Sequence, residues 1–209
     1  MVGIFLGSFD PPHIGHLSIV SDALDYEAVN KVIVVPAFSN PWKENQTPWE
    51  IRYKMCLEAF SGYKEKVEIS DAEQIIVSNK EIQNRFYAED DVNTIKDKTV
   101  PSYVLLRYFR DIIKDKIFLI TSEETFPEIK KWNHGLDVLK ENSILLIQYD
   151  KSSTILPTPW SNTHSIFPKR EKIKISSTEI RMRIKVGRIV HEYLPRRTED
   201  LINELKLYK

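Results

Sequence analysis

Cysteine is almost absent from this chain. Cys56 stands alone among 209 residues, so no internal disulfide can form and no cysteine-based metal cluster can be assembled. Long apolar runs are missing too. Nothing approaches the ~18 residues of a membrane span, and no charged-then-apolar leader opens the chain, so the expected setting is cytoplasmic, with no membrane partner. Charge of one sign is also lacking, since thirty Lys and Arg meet thirty Asp and Glu for a formal net charge of +0. That balance excludes a broad electrostatic footprint for nucleic acid, and no nucleic-acid partner is expected. Internal repeats and low-complexity tracts are absent. What remains is 42% hydrophobic and 29% charged, the balance of a globular chain long enough to bury a sizeable core.

The apolar runs alternate with amphipathic stretches. Residues 2–7 (VGIFLG) and 31–36 (KVIVVP) read as buried strands, the second stopped by proline. Between them, 14–25 carries Ile14, Leu17, Ile19, Val20, Ala23 and Leu24 along one helical stripe. A helix is expected over 49–61, a third strand around Val67 and Ile69, a helix over 103–114, a strand over 117–121, a helix over 123–131 and a strand over 143–149. Residues 150–165, rich in Pro, Ser and Thr, read as a loop, followed by a helix near Ser176 and a terminal helix over 197–207. This alternation predicts an α/β fold, a Rossmann-like doubly wound parallel sheet, as a single domain over 1–209 whose helical C-terminal part begins at 176. The polar stretch 78–99 has only weak periodicity. It reads as an insertion: a lid, a homo-oligomer contact, or a solvated loop with no role.

The strongest chemical signal follows the first strand. Gly7-Ser8-Phe9-Asp10-Pro11-Pro12-His13-Ile14-Gly15-His16 leads directly into the first helix. In a doubly wound sheet that turn lies at the carboxyl edge of the strands, where ligands bind. Gly7 permits a tight turn and close backbone approach, and a helix N-terminus offers unpaired N–H groups and a positive dipole end to an anion. His13 and His16, three residues apart, can converge on one bound group, and two donors beside a phosphate suit charge stabilisation during phosphoryl or nucleotidyl transfer. A metal centre is not expected, because no third ligand is near in sequence.

A second signal opens a late helix. In Ile175-Ser176-Ser177-Thr178-Glu179-Ile180-Arg181, Ser176 and Glu179 fit the S-x-x-E capping box. A capped start still leaves the N–H groups of Ser177 and Thr178 pointing outward, and Arg181, one turn in, can reach an anion at the same terminus.

These two elements resemble the nucleotidylyltransferase superfamily, with its H-x-G-H signature after a first strand and its I-S-S-T-x-I-R element. The resemblance implies that His13 and His16 contact ATP phosphates, that Ser176, Ser177, Thr178 and Arg181 grip the β- and γ-phosphates, and that Mg²⁺ accompanies the triphosphate. His13, His16 and Arg181 are thus the expected catalytic residues, with Gly7, Ser8 and Phe9 lining the ATP loop. Further stretches resemble the nicotinate/nicotinamide mononucleotide adenylyltransferases: Val35-Pro36 followed by Asn40-Pro41-Trp42-Lys43, Arg52 and Met55 as R-x-x-M, Val67 to Glu73 as a third-strand exit, and Pro101-Ser102-Tyr103. Gly187, Ile189 and Pro195 resemble the tail beyond the phosphate helix. The resemblance places Lys43 beside ATP and, with Ser8, Phe9, Arg52, Ser102, Tyr103 and Trp132, around the mononucleotide, Trp132 stacking on the pyridine ring. A flat, electron-poor ring is a natural partner for an aromatic face. Residue by residue, other readings stay open: Trp132 as core, Arg52 as a helix-surface arginine, Lys43 as a loop charge, and Ser102-Tyr103 as a plain helix start.

One departure stands out. Where that family has G-x-D after its fourth strand, this chain has Thr121-Ser122-Glu123. Glu123 is expected to replace the acid that holds the ATP ribose, in a more crowded backbone. The implied reaction is transfer of AMP from ATP to nicotinate or nicotinamide mononucleotide with release of pyrophosphate. The alternatives are a pantetheine-phosphate adenylyltransferase and a nucleotide-binding sensor that has lost turnover.

Overall fold

The computed structural model describes residues 1–40, 43, 45–150 and 161–209. Six strands form a parallel sheet: β1 (Val2–Gly7), β2 (Lys31–Pro36), β3 (Val67–Ile69), β4 (Ile117–Ser122), β5 (Ser143–Ile147) and β6 (Asn162–Ile166). Their order is β3-β2-β1-β4-β5-β6, and every neighbouring pair is parallel. The expected doubly wound α/β fold is therefore present.

Strands buried on both faces need apolar side chains at consecutive positions, and the two cores divide them by alternation. Ile4, Ile33, Val35, Leu119, Ile144 and Leu146 point to one core. Phe5, Val32, Val34, Phe118, Ile120, Leu145 and Ile147 point to the other. The first core is roofed by helices α3 (Ala72–Ser78), α6 (Ser102–Ile112) and α7 (Gly135–Glu141), the second by α1 (Ile14–Leu24) and α2 (Trp49–Phe60). A third cluster, with Met55, Ile180, Val190, Leu194, Leu201 and Ile202, seats α8 (Ser177–Lys185) and α9 (Arg196–Glu204) against the far side of α2.

Several elements differ from the sequence expectation. The helix expected over 123–131 is a 3₁₀ stretch, Phe126–Lys131, and the regular helix is α7 beyond it. A glycine at its first position obscures that start. Gly135 is there because its Cα lies against the Ile129 carbonyl, and an added Cβ would sit 1.9 Å from that oxygen. Strand β6 lies inside the expected loop 150–165 and beyond it. Its sequence NTHSI shows no apolar run because it is an edge strand paired on one side only. Residues 151–160 of that loop lie outside the described residues. The polar stretch 78–99 contains α4 (Lys80–Phe86) and α5 (Val92–Lys96), with Ile82, Phe86, Tyr87 and Ala88 packed on the first core.

Candidate active site

In the order β3-β2-β1-β4-β5-β6 the winding of the sheet reverses between β1 and β4, and the crevice at their carboxyl ends is where this topology binds ligands. The β1 exit carries Gly7 to His13, and the β4 exit carries Thr121 to Glu123. Two buried polar atoms here, His13 Nδ1 and Thr121 Oγ1, have no hydrogen-bond partner among the described residues. Such atoms are costly unless a ligand or solvent completes them.

The two histidines meet as expected. Their rings stack with centroids 3.7 Å apart, His13 buried at the N-cap of α1 and His16 half-buried one turn in. The His13 backbone N–H donates to His16 Nδ1 at 3.1 Å. An imidazole nitrogen that accepts carries no proton, so neutral His16 holds its proton on Nε2. Burial pushes the His13 pKa down to about 4. It also lowers that of His16, with the nearby His13 and Lys43 adding to the effect. Both are therefore neutral near pH 7. Gly15 makes the stack possible, because a Cβ there would lie 3.0 Å from His13 Cε1 and Nδ1. Gly7 serves Phe9 in the same way: a Cβ would meet the Phe9 ring at 3.0–3.3 Å.

The ISSTEIR element docks on this loop. Ser177 Oγ donates to the Pro11 carbonyl at 2.9 Å, and Arg181 Nη1 donates to the Asp10 carbonyl at 2.8 Å. Ser176 caps α8 through the Glu179 N–H. The other half of the expected capping box is absent, because the Glu179 carboxylate pairs with Arg183 instead. Arg181 Nη2 reaches Thr178 Oγ1 at 3.3 Å. Lys43 lies close enough that its pKa is lowered, by burial first and then by the charge of Arg181, with Asp10 opposing. Three basic groups, His16, Lys43 and Arg181, thus surround the β1 exit; Pro41 and Trp42, quoted with Lys43, lie outside the described residues.

Other expected site residues have different surroundings. Arg52 is no surface arginine: it is 1% exposed, and donates to the Thr47 carbonyl (2.7 Å), the Ser8 carbonyl (2.8 Å) and the Phe38 carbonyl (3.2 Å). It ties the β1–α1 loop to Phe38 and Thr47 of the β2–α2 connection by their backbones, and three of its five donors are consumed there. The Phe9 ring, 1% exposed, packs in the second core edge-on to His16 at 4.9 Å, so only its backbone borders the crevice. Ser8 Oγ accepts from Asn40 Nδ2 at 3.2 Å. The Tyr103 ring is buried, its hydroxyl donating to Asp91 and accepting the Ala88 N–H at 2.7 Å, while Ser102 begins α6. Trp132 is half-buried against the first core, just before Asn133 and His134. Glu123, expected at the ATP ribose, already accepts the Tyr149 and Asp150 N–H groups at 2.9 and 3.3 Å and pairs with Lys172 at 2.9 Å. Burial opposes its ionisation, but Lys172 and those two N–H groups win and lower its pKa. In this structure Glu123 clasps the exit of β5.

Sequence reading misses two hubs. Asp10 is 3% exposed: its Oδ2 accepts the Thr47 N–H (3.2 Å) and its Oδ1 the Tyr208 hydroxyl (2.6 Å), 198 residues away. Asp91, inside the 78–99 stretch, accepts Tyr103, Ala88 and Asn133 together. No local pattern marks either partnership.

The Cytidylyltransferase-like family model matches residues 4–183. A relative from Thermus thermophilus, carrying the name "Probable nicotinate-nucleotide adenylyltransferase", is 30% identical over 100% of this chain and 99% of its own length. A protein of the same name from Thermotoga sp. (strain RQ2) is 28% identical over 99% and 95%. Among solved structures, Plasmodium falciparum nicotinic acid mononucleotide adenylyltransferase complexed with NaAD superposes with a TM-score of 0.74 at 17% identity, covering 99% of this chain and 96% of that one. These matches show that the chain belongs to the Cytidylyltransferase-like family and, within it, to the nicotinate-nucleotide adenylyltransferases.

Proposed function

We propose that this protein transfers the adenylyl group of ATP to nicotinate mononucleotide in the cytoplasm, as a step of NAD biosynthesis. The observation that carries the reading is the direct docking of two anion-binding helix starts. The H-x-G-H turn and the ISSTEIR turn are bonded through Ser177 to Pro11 and through Arg181 to Asp10, which supports a reading in which both serve one anion. A triphosphate is the anion long enough to use both.

In the reaction, a phosphate oxygen of the mononucleotide attacks the α-phosphorus of ATP. The bond from α-phosphorus to the α,β-bridging oxygen breaks, and pyrophosphate leaves with that electron pair. The attacking phosphate is already anionic, so no strong general base is needed. His16 donates Nε2–H to oxygens gaining charge in the transition state, and Arg181 and Lys43 offset the charge of the departing pyrophosphate. His13 and His16 are neutral donors, prepared by burial, and their dipoles need little reorganisation as charge shifts. Mg²⁺ enters as part of the substrate, bound to the triphosphate oxygens. Asp10, the carboxylate within the loop, is committed to Thr47 and Tyr208. At the acceptor side, Trp132 and the backbone around Ser102 border the mononucleotide. Arg52 and Tyr103 act through the loops they hold.

Pyrophosphate release, followed with MgATP and separately with nicotinate mononucleotide, nicotinamide mononucleotide and 4′-phosphopantetheine, tests the proposal. The fastest turnover is expected with nicotinate mononucleotide. Turnover with 4′-phosphopantetheine alone, or ATP binding with no release from any acceptor, contradicts it.

A further inference from the structure

The last residues of the chain return to its first loop. Leu207 and Tyr208 pack on the third cluster, beside α2 and α9, and the Tyr208 hydroxyl donates to Asp10 Oδ1 at 2.6 Å. Asp10 stands where four segments meet. Its other carboxylate oxygen accepts the Thr47 N–H, and Thr47 in turn offers its carbonyl to Arg52. Its backbone carbonyl accepts Arg181 Nη1 at 2.8 Å, with Ser177 bonded to the next carbonyl along. Asp10 is thus the residue through which the β1 loop, the segment at Thr47, the start of α8 and the C-terminal residues are held in one arrangement.

We infer that Tyr208 is a positioning residue for ATP. By holding the Asp10 carboxylate, its hydroxyl fixes the Asp10 carbonyl that aims the Arg181 guanidinium at the triphosphate. The mutual geometry supports this. Asp10 is 3% exposed, so solvent cannot take the place of a missing donor, and a carboxylate left one bond short relaxes toward Arg181 or Lys43. Either move redirects a cation meant for substrate. The Tyr208 hydroxyl keeps its proton well above the usual tyrosine range because of burial and the adjacent Asp10 charge, so it donates at every working pH. On the mononucleotide side, Trp132 has no bond to this cluster among the described residues, and Arg52 meets it through the Thr47 carbonyl and not through Asp10 itself. The effect therefore belongs to ATP.

This inference rests on the triphosphate reading above, and its test is made on binding, apart from turnover. MgATP and nicotinate mononucleotide affinities are measured by calorimetry for the full chain and for Tyr208→Phe, Arg181→Lys, the double variant and Leu207→Ala. Tyr208→Phe should weaken MgATP binding by about tenfold, leave the mononucleotide within about twofold, and add no more than about twofold when Arg181 is already lysine. Leu207→Ala, which trims the tail's packing but keeps the hydroxyl, should lower the melting temperature with MgATP affinity unchanged. Wild-type MgATP affinity in Tyr208→Phe, or an undiminished tenfold loss in the Arg181→Lys background, would overturn the inference. So would equal loss of MgATP affinity in Leu207→Ala. A wild-type chain that binds MgATP yet releases no pyrophosphate with any acceptor defeats the adenylyl-transfer reading and leaves this one standing.

Discussion

At the scale of single residues, the candidate site sets two neutral histidines, held by close spacing, beside the cations Lys43 and Arg181. Gly15 shows the tolerance. Alanine in its place would favour α1 by up to about 1 kcal/mol, while overpacking against the His13 ring costs about 1–3 kcal/mol. Gly15→Ala should therefore lose about 0–2 kcal/mol of stability, melting at or a few degrees below the wild-type temperature, yet lose at least about tenfold in turnover, since a displaced His13 disturbs the His16 stack. Wild-type turnover in that variant would show that the stacked pair is not the working geometry. The histidines also make stability depend on pH. The folded pKa of His13, about 4, lies below the ~6.5 of an exposed histidine, so the native state favours the neutral ring. Its contribution is fully present above pH ~6.5 and is lost as pH falls toward 4, a change on the order of 3 kcal/mol. Urea midpoints at pH 7 and pH 4.5 should therefore differ more in the wild type than in His13→Asn. Equal differences would mean that His13 is not held neutral.

At the scale of elements, the sheet and its first helices are legible because their causes are local. Two-sided burial makes β1, β2, β4 and β5 continuous apolar runs, and the helical stripe of α1 needs only its own sequence. Where the cause lies across the fold, the sequence is silent. The edge strand β6 pairs on one side and carries little apolar patterning. Helix α7 starts with Gly135 because of an Ile129 carbonyl that no local pattern announces. The same division runs through the site. Contiguous motifs expose His13, His16 and Arg181, whereas the commitment of Arg52 to three carbonyls and of Glu123 to Lys172 emerges only from tertiary contacts. The 78–99 stretch is a further case. Its buried carboxylate, Asp91, gathers Tyr103, Ala88 and Asn133, and so pins the stretch to α6 and to the loop after Trp132. Asp91→Asn should cost about 1.5–3 kcal/mol, the value of hydrogen bonds to a charged acceptor. It should also speed proteolytic cleavage within residues 79–99. Unchanged cleavage and melting would show that the stretch is held by its apolar contacts alone.

Across the whole molecule, the two ends of the chain build one site. The N-terminal strand delivers the histidine turn to the reversal point of the sheet, and the C-terminal part, seated on α2 by the third cluster, delivers Ser177 and Arg181 of α8 and Tyr208 beyond α9 to the same turn. Docking of the C-terminal part is therefore what completes the proposed cradle, because Ser177 and Arg181 reach the β1 turn only from there. The central claim is that this joined cradle stabilises the transition state of adenylyl transfer through His16. The most direct measurement is pyrophosphate release from MgATP and nicotinate mononucleotide by the wild type and by His16→Ala, each confirmed folded by its melting transition. The account predicts rapid release by the wild type and a loss of at least about 100-fold in the variant, roughly 2.7 kcal/mol of transition-state stabilisation. Near-equal turnover in the two proteins would contradict it.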